Sequence, residues 1–387
     1  MSQEQTNTEP QQSPAAEQSS TTGQSATAAQ PPVADRRTER SGILRFFREM
    51  GSALAMALVA IVYVIQAFQI PTGSMEDSLL VGDFLLGLKF VYGAPLIPFS
   101  QELGIKQRFP AVAKPKPGDV VIFKYPGADN KDYIKRMVAG PGDVVQITDN
   151  QNLIINGVDT ELPPKGKYTG GSRFDPRIVN FAPLRIPAKG DVLMPETMPI
   201  REFLFFKNLV HQENPTKSVY MEFTLYVDGK NANSAPLYFN GARVTLDDLQ
   251  NGKLTYKNEM TNRTETFDFN KFDDWTVLDY FLESIRRSFP GNDVEISKRI
   301  ILDKTERIEE YTVQFDNYFM VGDNRDNSLD SRYWGYLNYN FVKAKAFILY
   351  FSFDRSAPPH KMIRFDRIGK LIRDWNGTSG VNEKIKY

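Results

Sequence analysis

Apolar and polar positions divide the chain into stretches of different character. Residues 1 to about 34 are mostly Gln, Ser, Thr, Ala and Pro, with no aromatic and no basic residue. Such a composition cannot bury enough apolar surface to offset the entropy of ordering, so residues 1–40 read as a disordered tail. Then comes an unbroken apolar run, Gly51 to Phe68 (GSALAMALVAIVYVIQAF), with no charge between Glu49 and Glu76. At about 1.5 Å of rise per residue, such a run spans roughly 27 Å, close to the hydrocarbon thickness of a bilayer. It predicts one membrane-spanning helix over 49–68. A cleaved leader would be shorter and would start near residue 1, so this segment is read as retained.

Downstream the period shortens to that of strands. Asp119–Tyr125, Val144–Ile147, Leu153–Ile155, Tyr220–Val227, Tyr311–Phe315 and Lys345–Phe353 are rich in β-branched and aromatic residues. Asn156-Gly157, Asp228-Gly229 and Asn240-Gly241 supply the positive φ that tight hairpins need. The expectation is an antiparallel sheet or barrel-like sandwich. Helical spacing is clearest over Asp273–Phe289, where Trp275, Leu278, Leu282, Ile285 and Phe289 share a face behind an acidic cap. The predicted class is mostly β: an N-terminal transmembrane helix, then an antiparallel β domain in two parts, 69–164 and 313–360. A large α+β insertion occupies 165–312. Residues 361–387 form a basic tail, within which Ile363–Trp375 mixes Arg, Lys and apolar residues at near-helical spacing. That spacing suits a surface helix or a segment lying on a membrane.

Charge orients the anchor. Arg36, Arg37, Arg40, Arg45 and Arg48 precede the apolar run, whereas the next basic residue is Lys89. Basic flanks stay on the cytoplasmic side, which puts the N-terminus inside and the β domain outside. Overall, 47 basic residues balance 47 acidic ones, so no global field favours nucleic acid. Cysteine is absent and only His211 and His360 could offer imidazole, which argues against thiolate chemistry and a catalytic zinc.

Three segments carry candidate chemistry. Ser74 follows Gly73 just past the anchor, where glycine would permit a strained turn and close approach of a substrate backbone. Lys135 lies in an apolar strand, on the face shared with Tyr133 and Met137 and opposite Ile134 and Arg136. Val321–Arg332 (VGDNRDNSLDSR) packs charged and amide residues between core-like runs, which points to a buried polar network. Read alone, a serine turn, a strand lysine and a polar loop are each ordinary surface features.

Taken in order, four blocks resemble the type I signal peptidases, the serine-lysine proteases of bacterial export. They are IPTGSMEDSLLVGD (70–83), KPGDVVIFKYP (116–126), YIKRMVAGPGD (133–143) and GDNRDNSLDSRYWG (322–335). The resemblance implies a membrane-bound endopeptidase that cleaves signal peptides from preproteins at the outer face of the bacterial cytoplasmic membrane. It assigns Ser74 as nucleophile and Lys135 as general base. Thr72 and the Ser74 N–H form the oxyanion hole, Ser328 orients the lysine, and Asp330 supports it. Asp323, Arg325 and Arg332 are structural, and Phe68, Ile70, Met75, Leu79, Tyr133 and Ile134 line shallow apolar pockets. No cofactor or metal is implied. The expected partners are preproteins and the bilayer, with room for a secretion translocon and none for nucleic acid.

A free lysine, with pKa near 10.4, is neutral about once in 2,500 molecules at pH 7, so burial would have to lower it, to about 8 for instance, before it could act as a base. One departure stands out: the family follows serine-methionine with any residue, then proline and threonine, whereas this chain has Asp77 and Ser78. Losing proline would cost rigidity and Asp77 would add charge, which keeps a second reading open, an impaired membrane-anchored β scaffold. A self-cleaving regulator with Ser-Lys chemistry would need a DNA-binding helix pair where this chain has a tail and an anchor. Asn262-Arg-Thr264 and Asn376-Gly-Thr378 match the glycosylation pattern by chance.

Overall fold

The computed structural model describes residues 36–97, 107–126, 131–148, 150–160, 166–168, 175–239, 242–250, 255–258, 263–266 and 274–372. Residues 1–35 of the expected tail, the Asn240-Gly241 turn, both glycosylation-like asparagines and residues 373–387 lie outside these; residues 36–40, expected to be disordered with the rest of the tail, open the first helix instead. The chain divides into two compact units, Met1–Leu54 and Ala55–Tyr387.

Helix α1 spans Arg36–Val59. The helical stretch Leu44–Val64, 21 residues of mean hydropathy 1.6 with no part of its most apolar window buried, is long and apolar enough to cross a membrane. An apolar surface of this size left open to solvent marks a contact with something apolar. The helix closes in a π-turn, Ala60–Val64, and residues 65–68, which hydropathy alone assigns to the span, instead open strand β1 (Ile65–Gln69). Two interactions end it there: Lys89 donates to the Ile61 and Val62 carbonyls at 3.4 and 2.9 Å, and the Lys89 N–H takes the Val64 carbonyl. A cation on the last free carbonyls terminates the helix favourably.

β1 pairs antiparallel with β2 (Asp83–Leu88) at the edge of a seven-stranded sheet. The order continues through strand Val342–Ser352, β3 (Val120–Lys124), β4 (Asp132–Ala139), Asn317–Val321 and Leu337–Asn338. Both faces are covered. Val120 and Ile122 join Phe68, Ile70, Met75, Leu79, Leu85 and Ile134 on one side, while Val121 and Phe123 face a larger core on the other. Burial on both faces explains why β3 reads as continuous apolar sequence rather than an alternation.

The larger core is continuous into residues 184–312, where helix Ile200–Glu213 contributes Phe203, Phe205, Phe206 and Leu209. Helix Trp275–Arg287 presents Trp275, Leu278, Phe281, Leu282 and Ile285 to the same core, capped by the Asp274 carboxylate accepting from the Thr276 N–H. Beside them lies a four-stranded sheet built on the Val219–Val227 and Val294–Leu302 pair. The Asn156-Gly157 and Asp228-Gly229 turns have the expected positive φ at both residues.

Two further elements differ from the sequence reading. The strand expected over 311–315 is only Tyr311–Thr312, because the Glu213 carboxylate takes the Gln314 and Phe315 N–H groups that a ladder would need. Ile363–Ile372, the described part of the proposed C-terminal helix, has only one 3-10 turn and docks along strand Val342–Ser352, through a bridge from Leu371 to Ile348 and one from Ile363 to Phe353 just past the strand's end. Its arginines turn inward: Arg367 pairs with the buried Asp83 at 2.6 Å, and Arg364 donates to Ser352 at 2.8 Å. The buried Asp83 and its partner Ser352 thus claim two arginines that a helix would have left in water.

Candidate active site

Beyond β1 the pairing with β2 continues for one residue, as Ile70 exchanges backbone hydrogen bonds with Asp83 and Gly82. Thr72 is still extended, and Gly73–Met75 then folds into one 3-10 turn. This turn aims the buried Ser74 side chain at β4. Gly73 is not the strained residue the sequence suggests: a Cβ there would meet nothing nearer than 3.8 Å, so its smallness keeps the surface open. The left-handed residue is Asp77, at φ +74°.

Lys135 lies mid-strand opposite Val121, and its ammonium reaches back over the Tyr133 ring at 5.4 Å. The side chain is 4 % exposed. Nζ donates to Ser74 Oγ at 2.7 Å and to the Ile134 carbonyl at 3.1 Å, both neutral acceptors. Burial drives its pKa down to about 8, against the weaker upward pull of Asp330 and Asp323.

Those two carboxylates are taken by other cations. Asp323 is buried, yet two Arg136 hydrogen bonds of 2.8 and 2.7 Å and the Ser78 hydroxyl at 2.5 Å outweigh its desolvation and hold it below the usual carboxylate range. Asp330 is likewise desolvated but held low by the fork of Arg332, and it also accepts from the Gly322 N–H. Arg332 further donates to the Arg325 carbonyl. The Arg325 guanidinium is fully buried with no hydrogen-bond partner among the described residues, and desolvation lowers its pKa.

Ser328 is buried beside Asp330, whose carboxylate it helps to keep ionised, but its hydroxyl makes no hydrogen bond of good geometry among the described residues. The expected contact with Lys135 is therefore not made; the lysine uses Ser74 and Ile134 instead. Ser328 does lie at the turn: a Cβ on Gly322 would fall 2.2 Å from Ser328 Oγ and 2.6 Å from the Ser74 carbonyl. Only glycine lets the loop approach so closely.

Of the six apolar residues assigned to substrate pockets, Phe68, Ile70, Met75, Leu79 and Ile134 form one cluster. Tyr133 packs instead with the larger core and stacks on Tyr125, ring centres 4.5 Å apart. Thr72 is exposed at the start of the Ser74 turn, and its hydroxyl caps nothing.

The sequence reading missed four participants. Arg136 binds Asp323, Ser78 reaches the same carboxylate, and Asn324 donates from its backbone to the Ser74 carbonyl at 3.1 Å and from its amide to the Gly73 carbonyl at 3.2 Å. Lys167 pairs with Asp77 at 2.9 Å and Glu76 at 3.6 Å. Arg136 was legible in principle, as a second cation inside an apolar strand. Lys167 carries no such signal, because its partners lie about ninety residues away in a turn of unusual backbone.

The signal peptidase family, peptidase S26, matches residues 43–351, and the chain belongs to it. It is similar to signal peptidase I of Buchnera aphidicola subsp. Schizaphis graminum, 27 % identical over 333 residues covering 84 % of this chain and 82 % of that protein. Signal peptidase I of Aquifex aeolicus is 25 % identical, covering 75 % of this chain and 77 % of its own. That of Pseudomonas fluorescens is 38 % identical over a shorter stretch, 32 % of this chain and 42 % of the relative.

Proposed function

We propose that this chain is a membrane-tethered serine endopeptidase that removes signal peptides from exported preproteins, with Ser74 as nucleophile and Lys135 as general base. The observation that carries the reading is the 2.7 Å contact between Ser74 Oγ and the buried Lys135 Nζ. With a pKa about 8, roughly a tenth of the lysines are neutral at pH 7 and most at pH 9. A neutral amine accepts the Ser74 proton as Oγ attacks the scissile carbonyl. The oxyanion is received by the Ser74 N–H and the Thr72 hydroxyl. The ammonium then protonates the leaving amine, and the amine next activates the water that releases the acyl group. Five apolar residues, Phe68, Ile70, Met75, Leu79 and Ile134, suit small substrate side chains.

The helix Leu44–Val64 and the arginines before it support a single-pass arrangement in a bacterial cytoplasmic membrane, N-terminus inside and Ser74 on the outer side, ten residues past Val64. Lipid, and a translocon delivering substrate, are the partners this arrangement calls for. Against an inert scaffold stands Ser78, whose hydroxyl still reaches Asp323.

Cleavage of a precursor with small residues three and one before the cut tests the proposal, comparing wild type with Ser74→Ala and Lys135→Ala. Each variant should lose at least about 10³-fold in rate. Cleavage surviving either change would sink the dyad.

A further inference from the structure

We infer that Lys167 is a positioning residue for the nucleophile turn: by pairing with Asp77 it holds that residue in its left-handed conformation and so fixes the backbone that aims Ser74. The inference rests on the reading of Ser74 as nucleophile. After Ser74 the backbone turns, with the Ser78 and Leu79 N–H groups on the Met75 carbonyl at 3.1 and 2.7 Å, and it passes through Asp77 at φ +74°, a region that side chains other than glycine, asparagine and aspartate rarely enter. Aspartate tolerates this region, and Lys167 adds a contact that favours it over the alternatives. The Asp77 carboxylate meets Lys167 Nζ at 2.9 Å, and the same ammonium lies 3.6 Å from Glu76, whose carboxylate also accepts from Asn324.

Lys167 is well placed for this because its own backbone is fixed. Its N–H donates to the Asp323 carbonyl at 2.8 Å and its carbonyl accepts from the Arg325 N–H at 3.0 Å, so it lies as a short parallel bridge beside Asn324. The loop it grips is the loop that grips the turn, through Asn324 on the Ser74 and Gly73 carbonyls and Asp323 on Ser78. The turn, the polar loop and the 166–168 segment therefore close a ring of contacts around Ser74. A proline at 77 could not join it, since its ring fixes φ near −65°, about 140° from the observed value.

The test measures kcat and KM of the full-length chain in a bilayer, with thermal melting of every variant as a check on folding. Lys167→Ala should lower kcat about 3- to 10-fold, as a slightly misaimed nucleophile does, with KM within about twofold. Lys167→Met, which keeps the stem, should behave the same, and Lys167→Arg should recover most of the rate. In an Asp77→Gly background, where the backbone takes positive φ unaided, Lys167→Ala should cost less than about twofold. Asp77→Pro should lose about tenfold or more. Equal losses from Lys167→Ala in both backgrounds, a loss confined to KM, an inactive Asp77→Gly enzyme, or a fully active Asp77→Pro enzyme would each overturn the inference. Ser74→Ala runs beside them: residual cleavage there refutes the nucleophile assignment itself, which the Lys167 results do not address.

Discussion

Lys135 and Arg136 are neighbours on one strand, both cationic in type and both buried at 4 % exposure, yet their surroundings give them opposite work. Arg136 meets a carboxylate fork and the Gly118 carbonyl, so its charge is matched and fixed. Lys135 meets a hydroxyl, a carbonyl and an aromatic face, none of which carries a formal charge. The difference teaches that burial alone does not make a cation reactive. For a lysine, burial without a bonded counter-charge does, because desolvation then has nothing close enough to offset it.

The contrast breaks most sharply if the lysine is given the chemistry of its neighbour. Lys135→Arg keeps a cation in place but cannot shed its proton, so single-turnover cleavage should fall at least about 10³-fold with the fold intact by circular dichroism. Next comes Asp323→Asn, which leaves Arg136 buried with no counter-charge and should cost about 3–5 kcal/mol in denaturant unfolding.

The pH profile sharpens the same contrast at smaller scale. Because the neutral Lys135 is the active form, kcat/KM should rise about tenfold per pH unit below 8 and level off above it. A profile turning near 6.5 and abolished by changing His211 would point to a histidine base instead. Asp323 and Asp330 titrate with the other sign for stability. Their folded pKa values are depressed, so their contribution is present above the ordinary carboxylate range and is lost as pH falls through the folded values. Acid unfolding monitored by fluorescence should accordingly set in below about pH 4. The smallest effect belongs to Tyr133→Leu, which removes the ring beneath the ammonium. Losing about 0.5–1 kcal/mol of cation–π attraction should move the rising limb roughly half a unit toward lower pH.

Local pattern made much of this legible. The apolar helix, the hairpin turns at Asn156 and Asp228, and the amphipathic face of Trp275–Arg287 follow from spacing that neighbours in sequence decide among themselves. The buried polar loop was visible too, since charged residues between core-like strands need partners. What stayed hidden depends on contacts distant in sequence. The end of the anchor is set by Lys89 on the helix carbonyls, and the C-terminal arginines were drawn from a helical pattern by Asp83. The replacement of proline and threonine by Asp77 and Ser78 looked like damage. In the folded chain Ser78 binds Asp323 and Asp77 is held by Lys167.

The Ser78–Asp323 hydrogen bond closes a span of 245 residues. Ribosomes emit a chain from its N-terminus, so Ser74 and Lys135 leave the tunnel long before the loop that braces them, and no local propensity can anticipate a contact of that range. A half-synthesised chain holds a hydroxyl and an amine but no braced turn. Until residues 322–335 have joined the fold, the turn that carries Ser74 lacks the loop that braces it, whatever its own sequence prefers.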